Sequence, residues 1–361
     1  MDTESELTLK RLEVREEILA LKEQIPLIQI LNRLGKAFRP NSLGYWIANI
    51  VLLNSILLIP WTLLGLGLKE IQRTGPVSVA SIVCIELVIL GLIAAYLALH
   101  IMLEDLRDGI AEKVSNAHDV SELLLWLKKT WSRQSVSAFA LPFCLIWTLL
   151  GVGGMSLILQ QFVGFGLTLT VILVGLLAGL LFYVPVWASF MIVSLKNYRY
   201  EVNAISPADS EIVSNISNMM MKGIYILAAV FAVITLVATS NLVNQQLRVT
   251  FALPMLLFFW IVIITQFLLT RSTLSAIINR AKWTTLNKIQ MRINTMEATG
   301  DLSDKDTAER LLRLADLHQQ IMMSKLSTLD LKSFSTLFTQ LMLPLLGLLL
   351  GNLDKLSKLL P

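Results

Sequence analysis

The chain has 361 residues, of which 55% are hydrophobic and only 16% are charged, and its mean hydropathy is +0.67. Soluble domains carry about 25% charged residues, and a water-soluble core cannot hold such an excess of apolar surface. The composition therefore excludes a soluble protein and predicts an all-α, polytopic membrane protein. The formal net charge of +4 is small and lies beside apolar segments, which indicates the lipid bilayer as partner and not nucleic acid.

Six apolar runs are each long enough to cross a bilayer, which takes about twenty residues. Short polar connections group them into three hairpins, and the first predicted connection is KEIQRTGP at 69–76. A seventh run, 334–351, is near the lower length limit, so it crosses the membrane fully or re-enters. The six runs are Tyr45–Leu68, Val77–Leu103, Val136–Leu159, Phe162–Leu195, Gly223–Val243 and Val249–Thr270.

Basic residues are distributed unevenly between the two sides of this predicted topology. Of the 30 Lys and Arg residues, 25 fall on the side of the N-terminus and five on the other. Cytoplasmic loops of membrane proteins carry the excess of Lys and Arg. We therefore expect a multi-pass protein of the cell membrane with a cytoplasmic N-terminus, in which the loops 104–135 and 196–222 are also cytoplasmic.

The segments outside the spans predict a cytoplasmic helical layer. One apolar stripe indicates an amphipathic N-terminal helix that lies against the membrane or against the protein's own loops, or forms a short coiled coil. Its members are Val14, Ile18, Leu21, Ile25 and Ile28. The predicted organisation is an N-terminal helix (1–43), a six-helix membrane domain (44–271), a cytoplasmic helical hairpin (272–332) and a C-terminal membrane helix with a short tail (333–361).

Sequence motifs for catalysis are missing. The chain has no phosphate-binding loop, no dinucleotide fingerprint and no zinc-protease or nucleophile-elbow motif. The three histidines, His100, His118 and His318, lie in separate segments and form no ligand pair at helical spacing. We therefore expect no enzyme activity, no metal site and no cofactor.

Glu86 is the single carboxylate deep within a predicted span. A charged group near the bilayer centre usually faces protein or water because exposure to lipid is costly. Asn49 and Asn54 in the preceding span are candidate neighbours. The pattern favours an ion or proton site, a protonated or hydrogen-bonded glutamate that ties helices together, or a glutamate whose side chain reaches an interface, although it lies about ten residues into its span.

The C-terminal run combines a polar start with a leucine-rich end. Ser333, Thr336 and Gln340 are spaced by three and four residues and so share one helix face, and the segment 343–350 is nearly all leucine. A pore lined this way has a polar mouth and a hydrophobic constriction, for which Leu346 and Leu349 are the candidates. The alternative is a terminal anchor whose hydroxyls bond only to their own backbone.

The same run resembles the last helix of insect gustatory and odorant receptors. That helix carries Thr-Tyr, five apolar residues and Gln-Phe, and this chain has Ser333-Phe334, the five residues STLFT and Gln340-Leu341. The spacing and the glutamine agree, whereas three of the four signature positions are substituted. The resemblance implies a seven-helix subunit of a tetrameric channel whose last helix lines the pore, with Phe334 and Leu341 as packing residues of the motif.

These patterns lead to one principal hypothesis and two alternatives. The principal hypothesis is a homo-oligomeric ion channel or channel-like receptor, acting on ions or on a small-molecule ligand, with the C-terminal helix lining the pore. The alternatives are a secondary transporter that uses the Glu86 carboxylate, and a non-catalytic membrane scaffold protein.

Overall fold

The computed structural model describes residues 3–64, 68–159, 164–239, 245–299, 305–323 and 331–351. These residues form eleven α-helices and no β-strand. The helices are α1 (Thr3–Gln24), α2 (Pro26–Leu34), α3 (Leu43–Leu64), α4 (Leu68–Asp105), α5 (Ala117–Thr130), α6 (Arg133–Leu159), α7 (Phe165–Leu195), α8 (Glu211–Thr239), α9 (Gln245–Thr299), α10 (Lys305–Met323) and α11 (Leu331–Gly351).

Six of the described helices are long and apolar enough to cross a membrane, namely α3, α4, α6, α7, α8 and α9. The structure therefore confirms the all-α membrane fold predicted from composition. The predicted first connection is wrong, because α4 begins at Leu68 and includes the residues KEIQRTGP. The first five of these residues are good or moderate helix formers, so their polarity does not end the helix.

Two helices organise the membrane domain. α7 packs against α3, α4, α6 and α9, and α8 packs against α4, α9 and α11. α3 and α6 lie at the edge of the bundle, and α11 lies at the edge next to α8. The large apolar side chains that remain exposed on α6, such as Leu149 and Leu150, are typical of a surface that faces lipid.

The N-terminal helix packs onto the chain's own loops. All five residues of the predicted stripe, Val14, Ile18, Leu21, Ile25 and Ile28, are at most 4% exposed. α1 lies along α5, and a π-helical turn that follows α4 (Leu106–Ile110) also contacts it. The stripe is thus confirmed as buried, but it does not lie on one helix, because α1 ends at Gln24 and α2 begins at Pro26. The α1 part packs on the loop 104–135, and α2, which carries Ile28, packs on α3 and α4.

Polar contacts join this layer into one unit. The Arg11 guanidinium donates to the Val114 carbonyl and pairs with Glu201, and Lys128 pairs with Glu17 at 2.6 Å. An isolated β-bridge links Val114 to Tyr200. The N-terminal segment and the loops 104–135 and 196–222 therefore lie together at one end of the bundle, as the basic residues predict. That this end is cytoplasmic stays a prediction.

α9 continues without a break from the membrane domain into the region 272–332. Its 55 residues extend past the end of α7, and α10 folds back against its C-terminal part. An apolar cluster of Leu286, Ile289 and Ile321 holds the two helices together. The Lys282 ammonium donates to the Met322 carbonyl at 2.7 Å, a favourable place for a cation at a helix C-terminus.

Candidate functional site

The contact between α11 and α8 is the closest helix approach at the C-terminal segment. A Cβ atom built on Gly347 would lie 2.2 Å from the carbonyl oxygen of Ala232, so only glycine fits there. Leu341 and Leu343 of α11 pack onto an apolar cluster that contains Phe231 and Phe259, whose rings stack with centroids 3.8 Å apart. One face of α11 is thus tightly bound to the bundle.

Gln340 belongs to this bound face. Its side chain is completely buried, and its Nε2 lies 3.6 Å from the sulfur of Met221. Its Oε1 is buried without a hydrogen-bond partner among the described residues, which costs about 1–3 kcal/mol for a neutral acceptor. Gln340 therefore points towards α8 and not towards the exposed side of α11.

The opposite face of α11 is exposed. Leu346 is 51% exposed and Leu349 is 46% exposed, so both predicted constriction residues lie on the free surface. Thr339 and Ser335, about two and three turns before Leu346, are exposed as well. Sequence spacing missed these two hydroxyls, because it grouped Gln340 with Ser333 and Thr336.

Three residues of the predicted motif lie outside the described side chains. Ser333, Phe334 and Thr336 are part of α11 by their backbone, and their side chains are among those that the structure does not describe. The apolar part of α11 that is described, Phe338–Leu350, has thirteen residues, about 20 Å of helix. This length is less than the roughly 30 Å of a hydrocarbon core.

Glu86 lies on the outer surface of the bundle with Asn54 beside it. The Glu86 side chain is exposed, and Asn54 Nδ2 lies 3.5 Å from its Oε2. Asn54 Nδ2 also donates to the Ile50 carbonyl of its own helix at 3.2 Å. Asn49 is completely buried elsewhere and donates to the Tyr45 carbonyl at 2.9 Å. The structure therefore brings Asn54, and not Asn49, to the carboxylate.

The depth of Glu86 follows from a neighbouring aromatic cluster. Tyr45, Trp46 and Tyr96 pack edge to face with ring centroids 5.0 and 5.3 Å apart, and such residues are enriched at the membrane–water boundary. Ten residues of α4, about 15 Å of helix, separate Tyr96 from Glu86. A membrane boundary at the level of this cluster would place Glu86 near the middle of a hydrocarbon core about 30 Å thick.

An apolar cavity of about 240 Å³ lies between α4, α7, α8 and α9. Ala95, Pro185 and Phe231 are among its lining residues. Gln266 contributes a polar group, and its Nε2 donates to the Pro185 carbonyl at 2.7 Å and to the Ser189 hydroxyl. An apolar cavity of about 150 Å³ already binds benzene, so this one has room for a larger apolar molecule. Sequence analysis did not detect it.

α8 separates this cavity from α11. Phe231 lines the cavity, and the next residue, Ala232, forms the close contact with Gly347. A molecule in the cavity and the packing of α11 therefore involve adjacent residues of one helix. Glu86, in contrast, is not among the cavity-lining residues.

One cluster among the described residues has metal-ligand chemistry. His118, Asp119 and Glu122 have ligand atoms within 4.8 Å of one another at the start of α5. The His118 side chain is 81% exposed, and an Asp119 oxygen already accepts a hydrogen bond from the Arg199 amide at 2.9 Å. The cluster has the character of a solvated helix start.

Comparison of the chain with known protein families, with characterised proteins and with solved structures finds no match.

Proposed function

We propose that the chain is a subunit of an oligomeric ion channel or channel-like receptor in which the exposed face of α11 lines the pore. The observation that carries this proposal is the division of α11 into two faces. One face is locked to α8 through Gly347, and the other presents hydroxyls at its start and leucines beyond them.

This arrangement fits a hydrophobically gated pore. The exposed stripe begins with the hydroxyls of Ser335 and Thr339 and the ring of Phe338 between them, and it continues with Leu346 and Leu349, which exclude water. The Thr339 hydroxyl donates to the Ser335 carbonyl of its own helix, so its oxygen can still accept a hydrogen bond from water. Narrow leucine-lined constrictions close by losing water. A single α11 cannot enclose a lumen, so several copies of the subunit are required, and a closed ring gives each copy the same environment. The tetramer implied by the insect-receptor resemblance is one such ring.

The cavity between α4, α7, α8 and α9 supports the receptor form of this proposal. It is apolar and contains one amide, that of Gln266, which is the usual character of a small-molecule site. A bound apolar molecule would press on Phe231, next to the Ala232 contact with α11. The transporter alternative receives less support, because Glu86 lies outside this cavity.

Conductance of the purified protein in planar bilayers tests the proposal. Leu346→Ser and Leu349→Ser place a hydroxyl in the constriction and should raise the leak conductance, since a polar ring holds water. Leu145→Ser on α6 is the matched control, because Leu145 is 63% exposed on a helix at the other edge of the bundle. It should leave conductance unchanged.

Cysteine accessibility supplies an independent measurement. Cysteines placed singly from Ser335 to Leu350 should react with a water-soluble reagent only on the exposed stripe, every third or fourth residue. An anchor or scaffold predicts that Phe338 to Leu350 are all protected by lipid and that no variant conducts. That result would end the channel proposal.

A further inference from the structure

A basic groove lies between the C-terminal part of α9 and α10. Four cationic side chains line it, Lys288 and Arg292 from α9 and Arg310 and Arg313 from α10. All four are exposed, and the volume of the groove is about 690 Å³. Cations thus face the same space from two helices.

Most of this charge is not neutralised within the described part of the chain. Arg313 pairs with Glu309 at 2.6 Å, whereas Lys288, Arg292 and Arg310 form no ion pair with any described residue. Like charges at these helical spacings repel one another. An anion in the groove would relieve that repulsion.

The helices that carry the cations are fixed relative to each other. Leu286, Ile289 and Ile321 form the apolar contact between them, and Lys282 bonds the Met322 carbonyl at the end of α10. The spacing between the two walls is therefore set before any ligand arrives. Such preorganisation lowers the cost of binding.

The groove lies away from the membrane surface. Arg280 Nη1 donates to the Asn197 carbonyl at 3.0 Å, just past the end of α7. Lys288 and Arg292 follow eight and twelve residues later in the same helix, about 12 and 18 Å farther along its axis. Headgroups of the surrounding lipid lie nearer the ends of the spanning segments, so this position favours a ligand from solution.

We propose that the groove between α9 and α10 binds a soluble anion that carries several phosphate groups. Guanidinium groups bind phosphate through paired hydrogen bonds, and the ammonium of Lys288 adds a point charge. The bound anion joins α9 to α10 and stiffens the hairpin that precedes α11. The proposal is independent of whether α11 lines a pore.

Isothermal titration of the full-length protein in detergent with inositol hexakisphosphate tests this assignment. Wild type should bind the probe, and binding should weaken as salt is raised, because these charges are exposed to solvent. Arg292→Gln combined with Arg310→Gln should weaken binding by about tenfold or more, since two charge-assisted contacts are lost. The matched control is Lys36→Gln with Arg39→Gln, which removes the same charge at exposed positions outside the groove and should bind as wild type.

Arg292→Lys with Arg310→Lys separates geometry from charge. This variant keeps all four positive charges and loses the paired guanidinium contacts, so its affinity should fall between wild type and the glutamine variant. It also replaces the glutamine variant if size-exclusion chromatography shows that the latter does not fold. Equal binding by wild type and whichever groove variant folds would overturn the proposal.

Two further outcomes would also overturn it. The first is measured in phosphatidylcholine nanodiscs with or without phosphatidylinositol bisphosphate. If the wild type binds this lipid through the groove residues and does not bind the soluble probe, the groove is a site for a lipid headgroup. Loss of the oligomer in the glutamine variant, with no binding of the soluble probe by wild type, would assign it to contact between subunits.

Discussion

Replacing Gly347 by alanine tests the contact that holds α11 against α8. The new methyl carbon would stand 2.2 Å from the Ala232 carbonyl oxygen, where ordinary contact begins near 3.4 Å. α11 must therefore withdraw by about 1.2 Å at this point. The opposing atom belongs to a helical backbone and cannot rotate away, so the strain spreads along the helix.

Two opposing contributions to the free energy of unfolding decide whether Gly347→Ala destabilises the protein. Overpacking of a well-packed contact costs about 1–3 kcal/mol, while alanine is favoured over glycine in a helix by about 1 kcal/mol. The clash should prevail, because withdrawal of α11 also loosens the packing of Leu341 and Leu343. We expect Gly347→Ala to lower the unfolding temperature and to release α11 from its position.

Gly153→Ala supplies the matched control. Gly153 is exposed in α6, and a Cβ there meets no atom within 4 Å. It should gain about 0.5–1 kcal/mol from helix propensity alone. Thermal unfolding of both variants in the same detergent makes the comparison. If Gly347→Ala is as stable as Gly153→Ala, α11 does not sit on Ala232 as described, and the division of its two faces loses its basis.

Three further predictions concern other polar groups. Gln266→Leu removes the hydrogen bonds to the Pro185 carbonyl and Ser189 and should destabilise the protein by about 0.5–1.5 kcal/mol, measured by thermal unfolding, because the Ser189 hydroxyl still donates to the Pro185 carbonyl. Arg11→Ala leaves the buried Val114 carbonyl without the guanidinium and removes an exposed pair with Glu201, so it should cost about 1–3 kcal/mol, almost all of it from the carbonyl; an unchanged melting curve would mean that this guanidinium does not help to hold α1. A hydrogen bond from the Arg107 guanidinium holds the pKa of Asp108 below its ordinary 3.8. The ionised Asp108 carboxylate therefore stabilises the fold above pH 3.8, and this contribution is lost as pH falls through the lower folded-state pKa. Asp108→Asn should flatten that part of the unfolding temperature plotted against pH, by a small amount because this carboxylate is half exposed.

The N-terminal helix shows what apolar periodicity could predict. The stripe is the one apolar series of α1 with continuous helical spacing, and Val14, Ile18 and Leu21 are buried as expected, whereas the leucines outside it, Leu9, Leu12 and Leu19, are exposed. The stripe did not reveal its partner. That partner is α5, which contacts α1 through pairs such as Lys128 with Glu17. These residues lie more than a hundred positions apart in the sequence.

The register of α11 was not predictable in the same way. Hydroxyls occur at Ser333, Ser335, Thr336 and Thr339, so polar residues point in several directions around the start of the helix. Gln340 is the most polar of the group by hydrogen-bonding capacity, and sequence reasoning placed it in the lumen. In the structure Gln340 is buried at Met221 instead, because the position of Gly347 determines which face meets α8.

The cavity left no sequence signal at all. Its walls come from four helices that are distant in the chain, and small residues such as Gly91 and Ala95 create its space. Each of these residues is ordinary in an apolar helix. Only their convergence around Gln266 distinguishes them, and such convergence is a property of packing between helices.

The exposed position of Glu86 bears on the proposed assembly of subunits. A charged side chain at the centre of a bilayer costs about 2.5–3.5 kcal/mol on insertion scales, and Asn54 at 3.5 Å offers Glu86 only a long contact. The expectation that Glu86 faces protein or water therefore requires a neighbouring subunit or a wet boundary between subunits. Glu86→Leu should then shift the protein towards smaller oligomers in detergent, whereas Ile82→Leu, at an exposed position on the same face, should assemble as wild type. If Glu86→Leu keeps the wild-type assembly and conductance, the carboxylate faces lipid at this cost, and the oligomer must be held together elsewhere.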